Sequence, residues 1–548
     1  MNRIILTTVI FITTYMFTFN AKAQVLGGGE VHGSFQADAQ YYQKDSVIGA
    51  DDIPEVMAMN AFMEIRYSNK NFEAGMRYEL FMPQMQGYDS RWQGNGFGNR
   101  YLRYRNETID VTAGNFYEQF GSGMILRSYQ EWNLGFDNSL DGIRVKYKMK
   151  ALSITGLVAK QRYYWDLGPG LVRGIDAQLS VNDLVKSFAD SKTRVNLGYS
   201  FVSRFQSDQD PIFILPENVA AEAARIEFYR GAFNFKFETG WKINDPNASN
   251  NMIYKGGNAI ITEFGYSTKG LGFTLQAERV DNMDFRSNRA STGFDLPVGY
   301  IPAMTRQHAY SLAAMYPYAS QANGQMGLQA TLIYKIKKKT LLGGKYGTSV
   351  NVNYSISYAI DKQEIDTLTA IGQSGTLGYK SDFFKVGDEK YYSDFNIKLQ
   401  RKLNAKWNVS LMYMNVVYNK FINEGHAEPN VYASIGIADI WWKYKPYNSI
   451  HVELQSLFAK QDEGNWSSAM FEYNHKGFFA AGVLLYNFGI SGVTDPYLYP
   501  YVTMGYTQKA TRISVGYGKQ REGIVCVGGV CRAVPASNGF TLSMNSSF

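Results

Sequence analysis

The sequence predicts an all-β transmembrane barrel, antiparallel and of about 26 strands (about 22 to 26 being compatible), with short periplasmic turns, long extracellular loops and no separate plug domain. Three observations predict it. An export signal opens the chain, apolar and polar residues alternate with a period of two almost from end to end, and the last strand finishes on an aromatic residue.

The first element is the signal. Met1 to Ala23 combine a basic start at Arg3, an apolar stretch from Ile4 to Phe19 interrupted only by threonines and Tyr15, and Ala21-Lys22-Ala23. A short apolar core before an A-x-A site is a secretory signal peptide, so cleavage is expected after Ala23, leaving 24–548 as one barrel. No cysteine follows the cut to carry a lipid anchor. The formal charge of +7 falls by two when Arg3 and Lys22 leave. Over a chain of this length that bias is too weak to imply nucleic acid, and none is expected as a partner.

The body of the chain has no linker, no Pro-rich tract and no run of like charge longer than Lys337 to Lys339. It is 15% aromatic, with 52 Gly and 14 Pro, and beyond the signal no stretch approaches the roughly 18 apolar residues of a spanning helix. Many tyrosines and glycines without hydrophobic runs suit a sheet that is apolar on one face. Val195, Leu197, Tyr199 and Phe201 alternate with Asn196, Gly198 and Ser200, and Phe233, Phe235 and Phe237 with Asn234, Lys236 and Glu238. The same period recurs around Ile175, Leu411, Val452 and Val515. Side chains alternate across a strand, so each segment has two unlike faces.

A soluble sandwich would alternate in the same way, and the connections favour a barrel. Tight turns at Ser68-Asn71, Asn106-Thr108, Met149-Ala151, Arg230-Ala232, Ser267-Gly270, Leu403-Ala405, Lys445-Asn448, Asn474-Gly477 and Gln508-Thr511 alternate mostly with longer segments. Looser turns fall at Asn182-Lys192 and Lys337-Gly347. Among the long connections, Gly121-Leu140 and Asp361-Gly387 are candidates to fold inward and restrict a pore. Both chain ends on the periplasmic side require an even strand number. Twenty-five strands can be read from the sequence, so parity demands a further, hidden strand between Asp281 and Arg306.

At the C-terminus, Phe540, Leu542 and Met544 alternate with polar residues and the chain ends at Phe548. This has the form of the signal by which barrel-assembly machinery recognises its substrates. The only cysteines stand just before it, in Cys526-Val527-Gly528-Gly529-Val530-Cys531. Two exported thiols flanking a Gly-Gly turn are expected to form a disulfide in the last outer loop rather than a metal site, because no His or acidic residue lies within the motif. The small loop would contribute about 2 kcal/mol.

The segments Gly114-Asn115-Phe116-Tyr117-Glu118-Gln119-Phe120-Gly121-Ser122-Gly123 and Asn138-Ser139-Leu140-Asp141-Gly142, with the cysteine loop and Pro535-Ala536-Ser537-Asn538-Gly539, resemble a family of uncharacterised Bacteroidota outer-membrane β-barrel proteins. The resemblance spans the mature chain. It implies location and fold, and no activity. TonB-dependent receptors fit less well, since they set a large plug before the barrel whereas strand-like sequence begins here by Val31.

The chemistry is that of a pore wall. His32, His308, His426, His451 and His475 share no spacing that pairs them on one strand face, and are expected as loop or interface residues. No nucleophile and base, phosphate loop or zinc motif stands out, so no enzyme activity, metal or cofactor is expected. The Gly27-Gly28-Gly29 and Gly121-Ser122-Gly123 patches lack a following helix and read as turns or close approaches. The informative charges are inward-facing on the early strands: Glu64, Arg66, Arg77, Glu79, Arg103, Arg105, Arg144 and Lys146. Charged rings bias what passes a pore, whereas an ion-pair network would only fill space. The basic run at Lys335 and Lys337 to Lys339 is expected at lipid headgroups, and Trp441, Trp442, Tyr444 and Tyr447 in an interfacial girdle. Two functions follow: a channel or transporter for a small solute, or a scaffold with a periplasmic or surface protein partner. Outer-membrane lipids are expected around either.

Overall fold

The computed structural model describes residues 24–26, 28–490, 495–527 and 530–548. The expected signal peptide and Gly27 lie outside them.

One antiparallel sheet closes on itself. Its strands are β1 (Gly29–Tyr42), β2 (Met57–Asn69), β3 (Phe72–Phe81), β4 (Gly94–Arg105), β5 (Ile109–Phe116), β6 (Leu140–Lys148), β7 (Leu152–Tyr163) and β8 (Asp166–Ser180). There follow β9 (Thr193–Phe205), β10 (Asn218–Arg230), β11 (Phe233–Lys242), β12 (Gly257–Thr268), β13 (Leu271–Asp281), β14 (Gln325–Ile336), β15 (Thr348–Gln363) and β16 (Lys380–Lys402). The wall ends with β17 (Trp407–Tyr418), β18 (Val431–Lys445), β19 (Asn448–Ala459), β20 (Asn465–His475), β21 (Phe478–Gly489), β22 (Tyr497–Gln508), β23 (Thr511–Gln520) and β24 (Ser537–Ser547). Each strand pairs with the next, and β24 pairs with β1 from Ser34↔Ser547 to Tyr42↔Gly539. A closed sheet of this kind has no wall edge, so every strand finds partners on both sides. A three-residue strand, Gln24–Leu26, folds back on the start of β1.

The barrel is inside out relative to a soluble protein. On β9, Leu197 and Tyr199 are 40% and 48% exposed, while Ser200 and Arg204 on the other face are buried. On β11, Phe233, Phe235 and Trp241 are exposed while Glu238 and Lys242 are buried. Apolar side chains face outward and polar ones inward, which is the arrangement of a wall whose outer solvent is lipid.

All eleven turns read from the sequence fall at one end of the barrel, and twelve other connections, most of them longer, fall at the other. The wall therefore has 24 strands, within the expected 22 to 26 but two fewer than the central count: one of the 25 strands read from the sequence is absent, as is the one added for parity. The hidden strand does not exist: residues 282–324 leave β13 and return to β14 without joining the wall, and β13 pairs directly with β14. Only parity asked for a strand there; the segment's apolar residues, among them Met283, Phe285, Leu296, Val298, Leu312 and Met315, are buried inside the barrel.

Two hydrophobic cores fill part of the lumen. In one, Leu312, Met315, Tyr316 and Tyr318 pack on the inward faces of β17 to β19, including Met414, Val416, Ala433, Ile435 and Leu457. In the other, Phe120, Met124, Ile125 and Leu126 from the connection 117–139 meet Phe285, Val298 and Ile301, against Val172, Val202 and Ala221 of the wall. Gly121-Leu140 thus folds inward as expected. Asp361-Gly387 does not follow it as a whole: β15 and β16 extend it outward as a long hairpin, and its Gly375 hydrogen-bonds Met252 of a neighbouring loop. In the described residues β1 begins at Gly29, and the filling of these two cores comes from the barrel's own connections, chiefly 117–139 and 282–324.

The final loop carries the hairpin Gly523–Val527 and Val530–Val534, whose register sets Cys526 opposite Cys531. Their side chains, and Gly528 and Gly529, lie outside the described residues. At the C-terminus, Gly33 and Phe548 exchange backbone hydrogen bonds of 2.9 and 3.0 Å. A Cβ at Gly33 would sit 2.3 Å from the Phe548 ring, so only glycine leaves room for this terminal aromatic.

Candidate functional site

The inward segment 282–324 is rooted where it leaves the wall. Lys242 of β11 reaches the carbonyl of Asp284 and, at 3.3 Å, the Asp245 carboxylate. Arg204 of β9 binds Asp245 at 2.9 Å and the carbonyl of Arg286 at 3.2 Å. These charges are buried, and each has a charged or carbonyl partner, which is the condition for keeping them there.

Beyond the root the segment crosses the lumen. Asp295 accepts from Arg91 at 2.7 Å and from the hydroxyls of Tyr163 and Tyr164 at 3.0 and 3.2 Å. The Pro297 carbonyl accepts from Gln161 and Asn138, and Tyr300 N–H donates to Gly123 of the other inward loop at 3.0 Å. Then the contacts move to the far wall. His308 meets Asp394 of β16 at 2.7 Å, the Tyr310 hydroxyl donates to Asp439 of β18 at 2.8 Å, and Leu312 N–H donates to Gln455 of β19 at 2.9 Å. Tyr316 reaches Asp462 at 3.0 Å. The segment is thus hydrogen-bonded to β7 and to β16, β18 and β19, close to half a turn of the barrel apart.

Two titrations belong to this lock. Hydrogen bonds from Arg91 hold the Asp89 carboxyl down at about 2, while burial works against them. Burial, with the bond to Asp439, pushes the Tyr310 phenol well above its ordinary range, so it stays a neutral donor.

Of the eight charges picked out from the sequence, six, Glu64, Arg66, Arg77, Arg103, Arg105 and Arg144, line a cavity of about 600 Å³ beside the second inward loop. Glu79 and Lys146 are not in that lining. Most of these charges are paired. Arg77 binds Glu79 at 2.7 Å and Asp137 at 2.5 Å, and Arg162 binds the same two carboxylates at 2.6 and 2.9 Å. The Arg77 guanidinium also lies 4.3 Å from the Trp132 ring centre. Arg103 meets Asp110 at 2.9 and 2.5 Å; Arg144 meets Thr112, Asp110 and Glu118; Lys146 meets Glu118 at 2.7 Å; and Arg66 meets Glu64 at 3.3 Å. The cations therefore form an ion-pair wall more than an anion-selective ring.

Sequence reasoning missed Glu118, Asp137, Arg162, Asp295 and Tyr310. A signal for the first two existed: Glu118 and Asp137 stand in or beside the segments that carry the family resemblance, at the two roots of the inward loop. Within it, Gly121 has φ +55 and no room for a Cβ beside Glu238, whose carboxylate accepts from Ser122 N–H at 2.8 Å. That close approach is what the Gly-Ser-Gly patch provides.

A second cavity of about 720 Å³ lies under Pro302, Ala303 and Met304 and is bounded by turn residues 148–153. Both cavities lie toward the turn end. Asp439, His451 and Glu453 set ligand atoms within 4.8 Å of one another, the sole such group among the described residues. Their hydrogen bonds run to protein groups: Asp439 accepts from Tyr310 and meets His451 at 3.1 Å, and Glu453 accepts from Gln455 at 2.6 Å.

Comparison with known proteins gives a family and distant shapes. The model of a family of unknown function (DUF6029) matches residues 1–548. No curated protein matches the chain. Among solved structures, the translocation pore of the P pilus usher (PapC) aligns with a TM-score of 0.45 and 9% identity, over 94% of this chain and 99% of that one. The ferric enterobactin receptor of Pseudomonas aeruginosa aligns at 0.42 and 10%, over 94% and 80%. The copper transporter OprC aligns at 0.39 and 9%, over 97% and 82%. At these scores the likenesses carry no argument about function.

Proposed function

The chain belongs to the DUF6029 family, which has no assigned function, and from the barrel's own geometry we propose that it is a non-enzymatic outer-membrane channel or transporter for a small solute, closed at rest by segment 282–324. The apolar outward faces support the membrane setting, and the turn end is then periplasmic. The single observation that carries the reading is the set of hydrogen bonds joining that segment to opposite walls of the lumen. A wall alone does not need them. They join carboxylates, hydroxyls, amides and backbone groups, individually weak and collectively able to hold a closed state that a ligand could shift.

The scaffold reading has one observation in its favour, the same occupied lumen, since a barrel that never opens could serve as a platform. Conductance in planar bilayers separates the two. Replacing 284–322 by a short Gly-Ser turn is expected to convert a barrel of low conductance into a large, stable pore. A folded deletion barrel that still carries no current would overturn the channel and favour the scaffold. Two assembly features are part of the proposal: a Cys526–Cys531 disulfide, read as a 2 Da mass increase on reduction, and recognition of the strand bearing Phe540, Leu542, Met544 and Phe548 by barrel-assembly machinery.

A further inference from the structure

Strand register brings Asp439, His451 and Glu453 together. Asp439 of β18 stands directly opposite Glu453 of β19, and His451 precedes Glu453 by two residues, so all three side chains leave the same face of the sheet. That face is the inner one, since Tyr310 of the inward segment donates to Asp439 at 2.8 Å. Glu472 of β20, opposite His451, brings a further carboxylate to it. Spacing along the chain could not show this group, because it holds one histidine and is completed by pairing between strands.

Two independent observations point to a cation. The first is charge. Like charges directly opposite in a ladder are destabilising, and among the described residues the one ion pair made by either carboxylate is that of Asp439 with the His451 ring, at 3.1 Å. Lys398 of β16 approaches, but it donates to the Tyr310 oxygen at 2.8 Å. The second is the disposition of the donor atoms. One imidazole nitrogen and one oxygen from each carboxylate lie within 4.8 Å of one another. Tyr310 takes Asp439 Oδ2 and Gln455 takes Glu453 Oε1, which leaves Asp439 Oδ1, Glu453 Oε2 and the imidazole to converge. The ring is already oriented: it stacks on Trp441 with centroids 3.9 Å apart and planes at 14°, and turns Nε2 toward Asp439 Oδ1.

We propose that Asp439, His451 and Glu453 bind a divalent transition-metal ion of the zinc type on the lumen wall. The ion takes the place of the proton between His451 Nε2 and Asp439 Oδ1, with the imidazole carrying its own proton on Nδ1, and Glu453 supplies the third ligand. Three protein ligands leave a fourth position for water or a solute. One nitrogen and two oxygens suit zinc better than magnesium, which asks for an octahedron of oxygens. Tyr310 is then a positioning residue: its hydroxyl holds Asp439 Oδ2 and so aims Oδ1 at the ion.

Metal binding is a property of this wall whether or not the barrel conducts, so the test reads binding itself. The untagged full-length barrel, stripped with EDTA and returned to buffered detergent, is titrated with Zn²⁺ by calorimetry. About one zinc per barrel is expected, held about a hundredfold more tightly than Mg²⁺. His451→Gln and Glu453→Gln should abolish this binding, and Tyr310→Phe should weaken it about tenfold. In the Cu²⁺-loaded barrel, nitrogen hyperfine coupling in the electron paramagnetic resonance spectrum should vanish in His451→Gln and persist in His475→Gln, a control at a turn. A normal mobility shift on heating in detergent gels shows that each variant is folded. No zinc uptake by the folded wild type overturns the proposal, leaving a proton-bridged network. So does unchanged affinity in His451→Gln or Glu453→Gln, which would put the ion elsewhere, or Mg²⁺ binding as tight as that of zinc, which would make this an acidic patch only. Unchanged affinity in Tyr310→Phe overturns the positioning role.

Discussion

The charges that were visible in the sequence turn out to be neutralised partly by one another, as Arg77 by Glu79, and partly by partners that were not singled out, such as Asp137 and Arg162. Arg77 and Arg162 have side chains 5% and 4% exposed, and Glu79 and Asp137 are buried between them. Removing one partner of such a group leaves buried charge uncompensated, so Asp137→Asn is expected to destabilise the barrel by about 3 kcal/mol, measured as the urea midpoint in detergent. Exposed Glu64→Gln, whose partner Arg66 is half in water, should cost less than about 1 kcal/mol. Asp89 gives a pH prediction. Its carboxyl titrates lower in the folded protein than in the unfolded chain, so its contribution is present above about pH 4 and is lost as pH falls through about 2. The Arg91 clasp on Asp295 should therefore keep 282–324 protease-resistant at pH 4 and loosen it toward pH 2. Limited pepsin digestion across that window is the measurement. The alternation of Arg103 with Leu102 told which way the arginine points; it could not tell that Asp110 would meet it, because that depends on strand register.

At the level of elements, the turns were the most legible. Each of the eleven was marked by a polar or glycine-containing stretch between alternating runs, and a strand that must be apolar outside keeps its period of two. Some of these turns carry strain that sequence reading ignored. Lys70 has φ +52 in the connection from β2 to β3, a left-handed conformation that costs a residue with a Cβ about 1 kcal/mol. Lys70→Gly is expected to raise the urea midpoint by a corresponding amount. The inward segment was illegible for a different reason. Burial inside the barrel and exposure to lipid both select apolar residues, so Phe285 or Val298 looks the same in either setting. A clue lay on the facing strands: Leu411-Met412-Tyr413-Met414 is apolar on both sides, and a lumen face needs that only if something apolar covers it. Weakening the far-wall contacts with His308→Ala and Tyr310→Phe should increase the frequency of open events in single-channel recordings without changing the open conductance.

For the whole molecule, closure is the property on which the rest depends. The seam between β24 and β1 is held by a ladder that includes the terminal residue, with Gly33 vacated for the Phe548 ring. Deleting Phe548 alone should slow the appearance of the heat-modifiable folded form during assembly into vesicles, and Gly33→Val should do so with Phe548 still present. The class of fold followed from periodicity because a lipid solvent imposes one rule on every strand. The exact count did not, because parity constrains a total only when every segment is assigned to the wall or excluded from it.

One consequence of the inward segment concerns its ends. Val280 and Gln325 are cross-strand partners in the ladder between β13 and β14, so the chain that enters the lumen leaves it at the neighbouring strand. If the lock opens, the freed stretch is a closed loop hung from a rigid rim and cannot diffuse away. Its local concentration at its own docking surface would be on the order of millimolar, whatever the amount of protein in the membrane. Reclosing is then a first-order event that no competing copy can dilute. The dwell time of the closed state should be the same in sparse and crowded membranes, as expected of a stopper on a chain.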